Sequence, residues 1–173
     1  MTLPKAELPQ RKNIRLPKFH YFAGYWYFVS ICTKDKKHLF GEVCIASVGA
    51  TRGSPETQLS DVGKIVSDVW LSLPKHHYVE LDVFTIMPNH VHFVIGMFSG
   101  GSRPAPTLGT VTGLFKSECS RRIRKLVNDP SLEVWQRGYY EHIIRNEKEL
   151  NEIREYVIFN SYGWEGDEEN KHS

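Results

Sequence analysis

The chain has 173 residues, 40% hydrophobic and 24% charged, which is the size and composition of one folded domain with its own core. It has no apolar run near the ~20 residues of a membrane helix and no apolar N-terminal stretch like a signal peptide. Its three scattered cysteines form no C-x-x-C pair, which argues against a disulfide framework or a zinc ribbon and predicts a cytoplasmic protein. The net charge is only +2, but residues 1–40 and 116–125 are basic and those after residue 147 are acidic, which suits a polyanionic partner on one face.

The N-terminal part of the chain predicts an arm, a strand and a loop. Residues 1–18 are polar and contain prolines, as in an irregular arm. Residues 23–33 are aromatic and β-branched and predict a strand, after which residues 34–41 turn. Residues 48–58 have the composition of a loop.

A helix and two strands are predicted in the middle of the chain. Ser60 is a good N-cap, and apolar residues at helical spacing predict a helix over residues 61–73. Residues 78–87 and 90–98 read as two apolar strands joined by a short turn, which indicates an antiparallel hairpin. The apolar stripe of the helix is formed by Val62, Ile65, Val66, Val69 and Trp70.

The C-terminal part predicts a flexible loop at residues 99–108, a helix at 109–127, a weaker strand at 133–144 and a last helix at 147–160. Residues 165–173 are acidic, which predicts a disordered tail after a single domain at residues 1–164. The apolar stripes are Val111, Leu114, Phe115, Cys119, Ile123 and Leu126 on the first helix, and Leu150, Ile153 and Val157 on the second.

This order of elements, β-α-β-β-α-β followed by an extra helix, predicts an α+β fold of the ferredoxin-like or RRM-like type. Such a fold is an antiparallel sheet with helices on one face.

His90 and His92 are the first candidate site residues. Side chains two apart on a strand point to the same face, so both imidazoles project together while Val91 and Phe93 face the other way. Two adjacent imidazoles can bind one divalent cation, although an H-x-H pattern also occurs where two histidines are simply exposed on a sheet.

Tyr156 and Asn160 are four residues apart on the last helix and therefore share a face. A tyrosine with a pKa near 10 is only about 0.1% phenolate at neutral pH. It is a useful nucleophile towards a phosphodiester when a metal ion polarises that group, so the histidine pair and Tyr156 make chemical sense together. Tyr139 and Tyr140 compete with Tyr156 for this role, but their apolar neighbours favour core packing or DNA stacking.

Residues 87–95, MPNHVHFVI, resemble the HUH motif of single-tyrosine transposases, in which two histidines flank a bulky apolar residue. The stretches RLPKFHYFAGYWYFVSICT, RPAPTLGTVTGLFKS, WQRGYYEHIIRNEKEL and IREYVIFN are similar to those of REP-associated tyrosine transposases, in the order of that family and over residues 11–164. The chain thus resembles this family along most of its length.

The resemblance implies an RRM-like sheet that carries His90 and His92, with Tyr156 as the nucleophile and Asn160 as a third metal ligand. It implies Mg²⁺ or Mn²⁺ as the cation and REP-like hairpins with single-stranded DNA as the substrate, cleaved through a 5′-phosphotyrosine with a free 3′-OH and then rejoined. Imidazole is not the preferred ligand of Mg²⁺, so we expect a loosely held ion whose shell DNA phosphates complete. Ser161 replaces the proline that is common in the family after the asparagine.

Phosphate contacts are predicted from the basic segments, with the alternative that these are ordinary solvated surfaces. His142 is a candidate substrate contact or a structural histidine, and Tyr25, Trp26 and Tyr27 could include a base-stacking platform. The predicted phosphate contacts are Arg11, Lys12, Arg15, Lys116, Arg121, Arg122, Arg124 and Lys125.

Two other functions compete with the transposase hypothesis. A nucleotide hydrolase of the histidine-triad type would need a third histidine where this chain has Val94, which argues against it. A hairpin-binding protein that no longer uses its catalytic site, such as a repressor, is compatible with the sequence. The sequence also leaves a monomer and a homodimer equally open.

Overall fold

Six strands and three α-helices make up the part of the chain that the computed structural model describes, which is residues 25–48, 51–75, 79–98 and 106–166. Short 3-10 helices lie at Lys34–Lys36, Leu73–Lys75 and Asn160–Gly166. The strands are β1 (Tyr25–Cys32), β2 (Gly41–Val48), β3 (Thr51–Leu59), β4 (Val79–Met87), β5 (His90–Met97) and β6 (Tyr140–Ile144), and the helices are α1 (Asp61–Ser72), α2 (Leu108–Val127) and α3 (Glu147–Ile158).

Four of the strands form one antiparallel sheet in the order β4-β5-β1-β6. Helix α1 lies between β1 and β4 in the sequence, and α2 lies between β5 and β6. This is the ferredoxin-like arrangement, in which each helix connects two strands that are not neighbours. The predicted α+β fold class is confirmed.

The helices do not all lie on one face of the sheet. Helices α1 and α2 pack on one face, over Val29, Val91 and Phe93, as the ferredoxin-like plan requires. Helix α3 lies on the opposite face, because its buried Leu150 and Val157 belong to a separate cluster under that helix. The prediction that the helices lie on one face of the sheet therefore holds for α1 and α2 but not for α3.

A β-hairpin occupies the segment that was predicted as a loop. Residues 48–58 have many glycine, serine and proline residues, but most of them belong to β3, which pairs with β2 in a separate two-stranded sheet. The loop prediction was wrong because pairing with β2 outweighs the weak strand propensity of β3. Pro55 is tolerated because a strand in a two-stranded sheet has an edge that needs no N–H donor.

Two predicted elements are shorter than expected. The strand predicted over residues 133–144 is reduced to β6, with one isolated bridge between Trp135 and Thr33. Gly138 lies between Trp135 and β6 and has a φ of 79°, a left-handed conformation that interrupts the strand. The last helix ends at Ile158 and continues as the 3-10 helix through Gly166. Most of the predicted tail, residues 167–173, lies outside the described residues.

The predicted stripe of α1 is buried or partly buried along its length. On α2, the residues Val111, Phe115, Cys119 and Ile123 are buried, whereas Leu114 and Leu126 are 47% and 51% exposed. The buried stripe of α2 is thus narrower than predicted. No helix in the described ranges is long and apolar enough to cross a membrane.

Candidate active site

The two histidines lie side by side on β5. The turn at Pro88 and Asn89 joins β4 to β5, so His90 begins the strand and His92 follows on the same face. Both side chains are buried, at 1% and 6% exposure, and their ring centroids are 4.5 Å apart. Val91 and Phe93 face the opposite core, as the two-residue strand period predicted.

Asn89 sets the orientation of the His90 ring. Its Nδ2 donates to the Lys36 carbonyl at 3.2 Å, which leaves its Oδ1 facing His90 Nδ1 at 2.8 Å. Since this oxygen can only accept, His90 Nδ1 carries the proton and the lone pair of the neutral ring is on Nε2. From the sequence, Asn89 was predicted only as part of a turn. Its position directly before the first histidine was the available signal for its role in orienting the His90 ring.

Burial keeps His92 in its neutral form. Desolvation, and to a lesser extent the neighbouring His90, hold the pKa of His92 well below its ordinary value. A neutral imidazole keeps the lone pair that a metal ion needs. Within the described part of the chain, the buried Nδ1 of His92 makes no hydrogen bond.

Tyr156 lies beside the histidines on α3. Its hydroxyl is 3.5 Å from His92 Nε2, at the outer limit of a hydrogen bond, and its ring contacts Phe28 edge-on. The residue as a whole is 42% exposed, so part of it faces solvent. The structure therefore brings together His90, His92 and Tyr156, which the sequence predicted as parts of one site.

Asn160 is buried at the start of the final 3-10 helix, one turn after Tyr156. Its amide oxygen makes no hydrogen bond to any other described residue. A buried acceptor of this kind lowers stability by about 1–3 kcal/mol if nothing binds it, which points to a ligand. Further along the same helix, the Trp164 ring lies 5.9 Å from that of His90.

These residues fit a divalent cation with an incomplete protein shell. His92 Nδ1 and Asn160 Oδ1 are buried polar atoms that make no hydrogen bond among the described residues. The part of the chain that the structure describes contains no cluster of three or more His, Cys, Asp or Glu side chains able to hold a metal ion. A cation held by the two imidazoles and this amide would keep positions for water or phosphate oxygens.

The predicted phosphate-binding residues of α2 lie away from the histidines. Helix α2 covers the opposite face of the sheet, where Lys116, Arg121 and Arg124 help to line an open groove of about 900 Å³ and Arg122 does not. These cations already have partners: Lys116 donates to the carbonyls of Gln136 and Gly138, Arg124 to that of Leu132, and Arg121 and Arg122 to Glu118. Arg11, Lys12 and Arg15 lie outside the described residues.

His142 lies on the same sheet face as His90 and His92 but is engaged by α3. Its Nε2 is 2.7 Å from Glu149 Oε1, and the other carboxylate oxygen accepts from the Arg145 backbone N–H. This contact connects β6 to the first turn of α3. A role for His142 in substrate contact remains a prediction.

The other aromatic candidates divide between core and surface. Tyr27 is fully buried and cannot stack on a base, whereas Tyr25 and Trp26 are partly buried. Tyr139 packs against the main core. Tyr140 is 43% exposed and contacts Phe28, the ring that also contacts Tyr156. Of these residues, Tyr140 shares with Tyr156 a ring contact to Phe28 and is partly exposed beside it.

The sequence is similar to known transposases. The family described as IS200-like transposases matches residues 56–160, a range that includes both histidines, Tyr156 and Asn160. An uncharacterized protein of Haemophilus influenzae is 34% identical over 185 residues, which cover 96% of this chain and 97% of that protein. A second Haemophilus influenzae protein, named provisionally as a REP-associated tyrosine transposase, is 22% identical over 90 residues, about half of each chain.

Two solved structures share the fold. One is a REP-associated tyrosine transposase bound to a REP hairpin, with a TM-score of 0.51, 16% identity and coverage of 82% of this chain and 70% of that one. The other is a crystal structure described as that of a transposase, also provisionally named, from Deinococcus radiodurans R1, with a TM-score of 0.50, 17% identity and coverage of 83% and 95%. The shared architecture agrees with the fold that the sequence resemblance implied.

Proposed function

The chain belongs to the IS200-like transposase family, and on that premise we propose that it cleaves and rejoins single-stranded DNA at REP-like hairpins, with Tyr156 as the nucleophile. The observation that carries the proposal is the Tyr156 hydroxyl, which lies 3.5 Å from His92 Nε2 on a residue that is 42% exposed. The hairpin-bound transposase with the same fold supports the choice of substrate. We expect this activity in the cytoplasm.

The proposed reaction is a transesterification. Tyr156 Oη loses its proton to water and attacks the phosphorus of a phosphodiester in an unpaired strand. An Oη–P bond forms while the P–O3′ bond breaks, and the departing O3′ takes a proton to become a 3′-OH. The 5′ end stays on the protein as a phosphotyrosine, and the reverse attack by a 3′-OH rejoins the strand.

His90, His92 and Asn160 would hold a divalent cation, Mg²⁺ or Mn²⁺, which would polarise the phosphodiester and offset its developing negative charge. Asn89 keeps Nε2 of His90 available by binding its Nδ1 proton. Burial keeps His92 neutral, because it lowers the pKa of that ring. Phe28 restricts the Tyr156 ring, since it packs against it edge-on.

The site needs residues from one copy of the chain. Tyr156 lies beside His92 of its own sheet, so the nucleophile and the candidate metal ligands come from the same protomer. The proposed chemistry is therefore available to a monomer, and a homodimer would not have to exchange α3.

Replacing Tyr156 by phenylalanine tests the proposal. Wild-type protein with Mg²⁺ or Mn²⁺ should form a denaturation-resistant adduct with an end-labelled hairpin that has an unpaired flank, and Tyr156→Phe should form none because it lacks the attacking oxygen. Hairpin affinity should fall by no more than about tenfold, since one hydroxyl rarely contributes more than about 1.5 kcal/mol and the ring is retained. Tyr162→Phe, which alters an exposed tyrosine in the following 3-10 helix, is the matched control.

An adduct in the Tyr156→Phe protein would contradict the assignment and direct attention to Tyr140. A wild-type protein that binds the hairpin but never cuts it, with either metal, would instead support the hairpin-binding protein without catalysis.

A further inference from the structure

Strand β4 attaches α3 to the sheet on both sides of Tyr156. Before that residue, Arg154 Nε donates to Asp82 Oδ2 at 2.7 Å. After it, the Thr85 hydroxyl donates to the Val157 carbonyl at 2.6 Å. Two bonds to a single strand, one on each side of Tyr156, restrict both rotation and sliding of this turn of the helix.

A β-bulge makes this double attachment possible. The pairing of β4 with β5 shifts between Leu81 and Phe84, and both of these residues pack into the core on the side of α1 and α2. Between them, Val83 packs against the cluster under α3 and Asp82 reaches Arg154. In a regular strand these two neighbours would face opposite sides, so the bulge directs Asp82 towards α3.

Polar contacts matter for α3 because it buries few side chains. Of its twelve residues, Leu150 and Val157 are buried. The carboxylate of Asp82 is only 15% exposed, and a charged hydrogen bond at such a site is stronger than one on an open surface. The two bonds from β4 therefore contribute a large share of what fixes α3 to the sheet.

Thr85 connects the two halves of the site. It lies opposite His92 in the register of β4 and β5, while its hydroxyl binds the carbonyl of the residue that follows Tyr156. We propose that Thr85, supported by the Asp82–Arg154 pair, is the positioning residue that holds Tyr156 at the histidines. This inference rests on the proposed function, because it concerns the geometry of that reaction.

Thr85→Val tests the inference, since it keeps the shape of the side chain and removes the donor. The rate of adduct formation at saturating hairpin DNA should fall roughly tenfold, because a displacement of about 1 Å can reduce a rate up to about a hundredfold. Hairpin and Mn²⁺ affinities should stay within about twofold, and Thr85→Ser should restore the rate. Hydrogen exchange of the amides of residues 155–159 should be faster in Thr85→Val, while exchange in β5 is unchanged.

Ser72→Ala is the matched control, because it removes a hydroxyl bond to a helix carbonyl on α1, which carries no site residue. Wild-type rates and unchanged α3 exchange in Thr85→Val would overturn the inference, and so would an equal loss of rate in Ser72→Ala. If the wild-type protein binds hairpin DNA but forms no adduct, the proposed function fails. In that case the hydrogen-exchange data alone test whether Thr85 holds α3. Faster exchange of α3 in Thr85→Val supports the attachment, and unchanged exchange rejects it.

Discussion

His90 and His92 are suited to metal binding because of what surrounds their rings. Asn89 fixes which nitrogen of His90 carries the proton, and burial lowers the pKa of His92 so that its ring stays neutral. The same-face placement of the two rings follows from the strand period and was predicted from the sequence. The role of Asn89 was not, because it depends on the Lys36 carbonyl, which reaches Asn89 only in the folded chain.

Asn89→Ala should weaken Mn²⁺ binding by about tenfold to a hundredfold, because partners that orient a ligating histidine have effects of this size. The measurement is a Mn²⁺ titration followed by electron paramagnetic resonance, with saturating hairpin DNA present to complete the coordination shell. Removing the metal with EDTA should stop adduct formation, and Mg²⁺ or Mn²⁺ should restore it.

The comparison variants for this prediction are His90→Ala/His92→Ala, which should lose Mn²⁺ binding, and His142→Ala, which should keep it. Undiminished Mn²⁺ binding by a well-folded double variant would reject the assignment of both histidines as ligands.

Helix α2 shows how a basic sequence segment can differ from a basic surface. Glu118 accepts two hydrogen bonds from Arg121 and one from Arg122, and these arginines lower the pKa of Glu118 to about 2. The carboxylate is therefore charged at neutral pH and offsets part of the arginine charge. The sequence predicted the positions of these cations but not their pairing with Glu118. Glu118 lies three residues before Arg121 and four before Arg122, and at this spacing its side chain could equally have pointed to solvent.

Glu118→Gln should increase hairpin affinity severalfold at low salt if α2 contacts phosphates, because it releases Arg121 and Arg122. Each additional neutralised phosphate steepens the dependence of log affinity on log salt by about 0.9. Filter-binding titrations at several salt concentrations measure both effects. Glu152→Gln removes the same charge from α3, so an equal gain in that variant would mean that only net charge matters.

The strand predictions show that the composition of a segment does not reveal which strand it pairs with. The helices α1 and α2 were predicted within a few residues because their apolar residues recur at helical spacing. The strands β4 and β5 were predicted as closely because both are apolar runs joined by a short turn. The hairpin of β2 and β3 was missed because its pairing, and not its own composition, makes it a strand. The bulge in β4 was also missed, since it is visible only as a shift in pairing with β5.

The whole molecule separates its chemistry from its basic groove. Tyr156 and the histidines lie on the face under α3, whereas the groove beside α2 lies on the other. A hairpin whose stem contacts the groove would have to place its unpaired flank around an edge of the sheet to reach Tyr156. Paired DNA is too stiff for this path, since its persistence length is about 50 nm.

A hairpin with an unpaired flank should therefore bind more tightly than a fully paired duplex of the same sequence, and cleavage should fall in the flank. The reason is that phosphate contacts alone would bind both DNAs alike, whereas the proposed site under α3 would take only unpaired DNA. Competition binding measures the relative affinity of the two DNAs, and a denaturing gel shows where the DNA is cut. Equal affinities without a cut in the flank would contradict this division of roles.

The distance in sequence between His92 and Tyr156 has a consequence for synthesis of the protein. Tyr156, the proposed nucleophile, follows the second histidine by 64 residues and meets it only after α3 has joined the sheet. A chain still emerging from the ribosome can form the β4–β5 hairpin and yet has no hydroxyl near it. The proposed strand breakage would thus be confined to molecules in which α3 has joined the sheet, and a partly made chain would leave the genome of the cell that produces it intact.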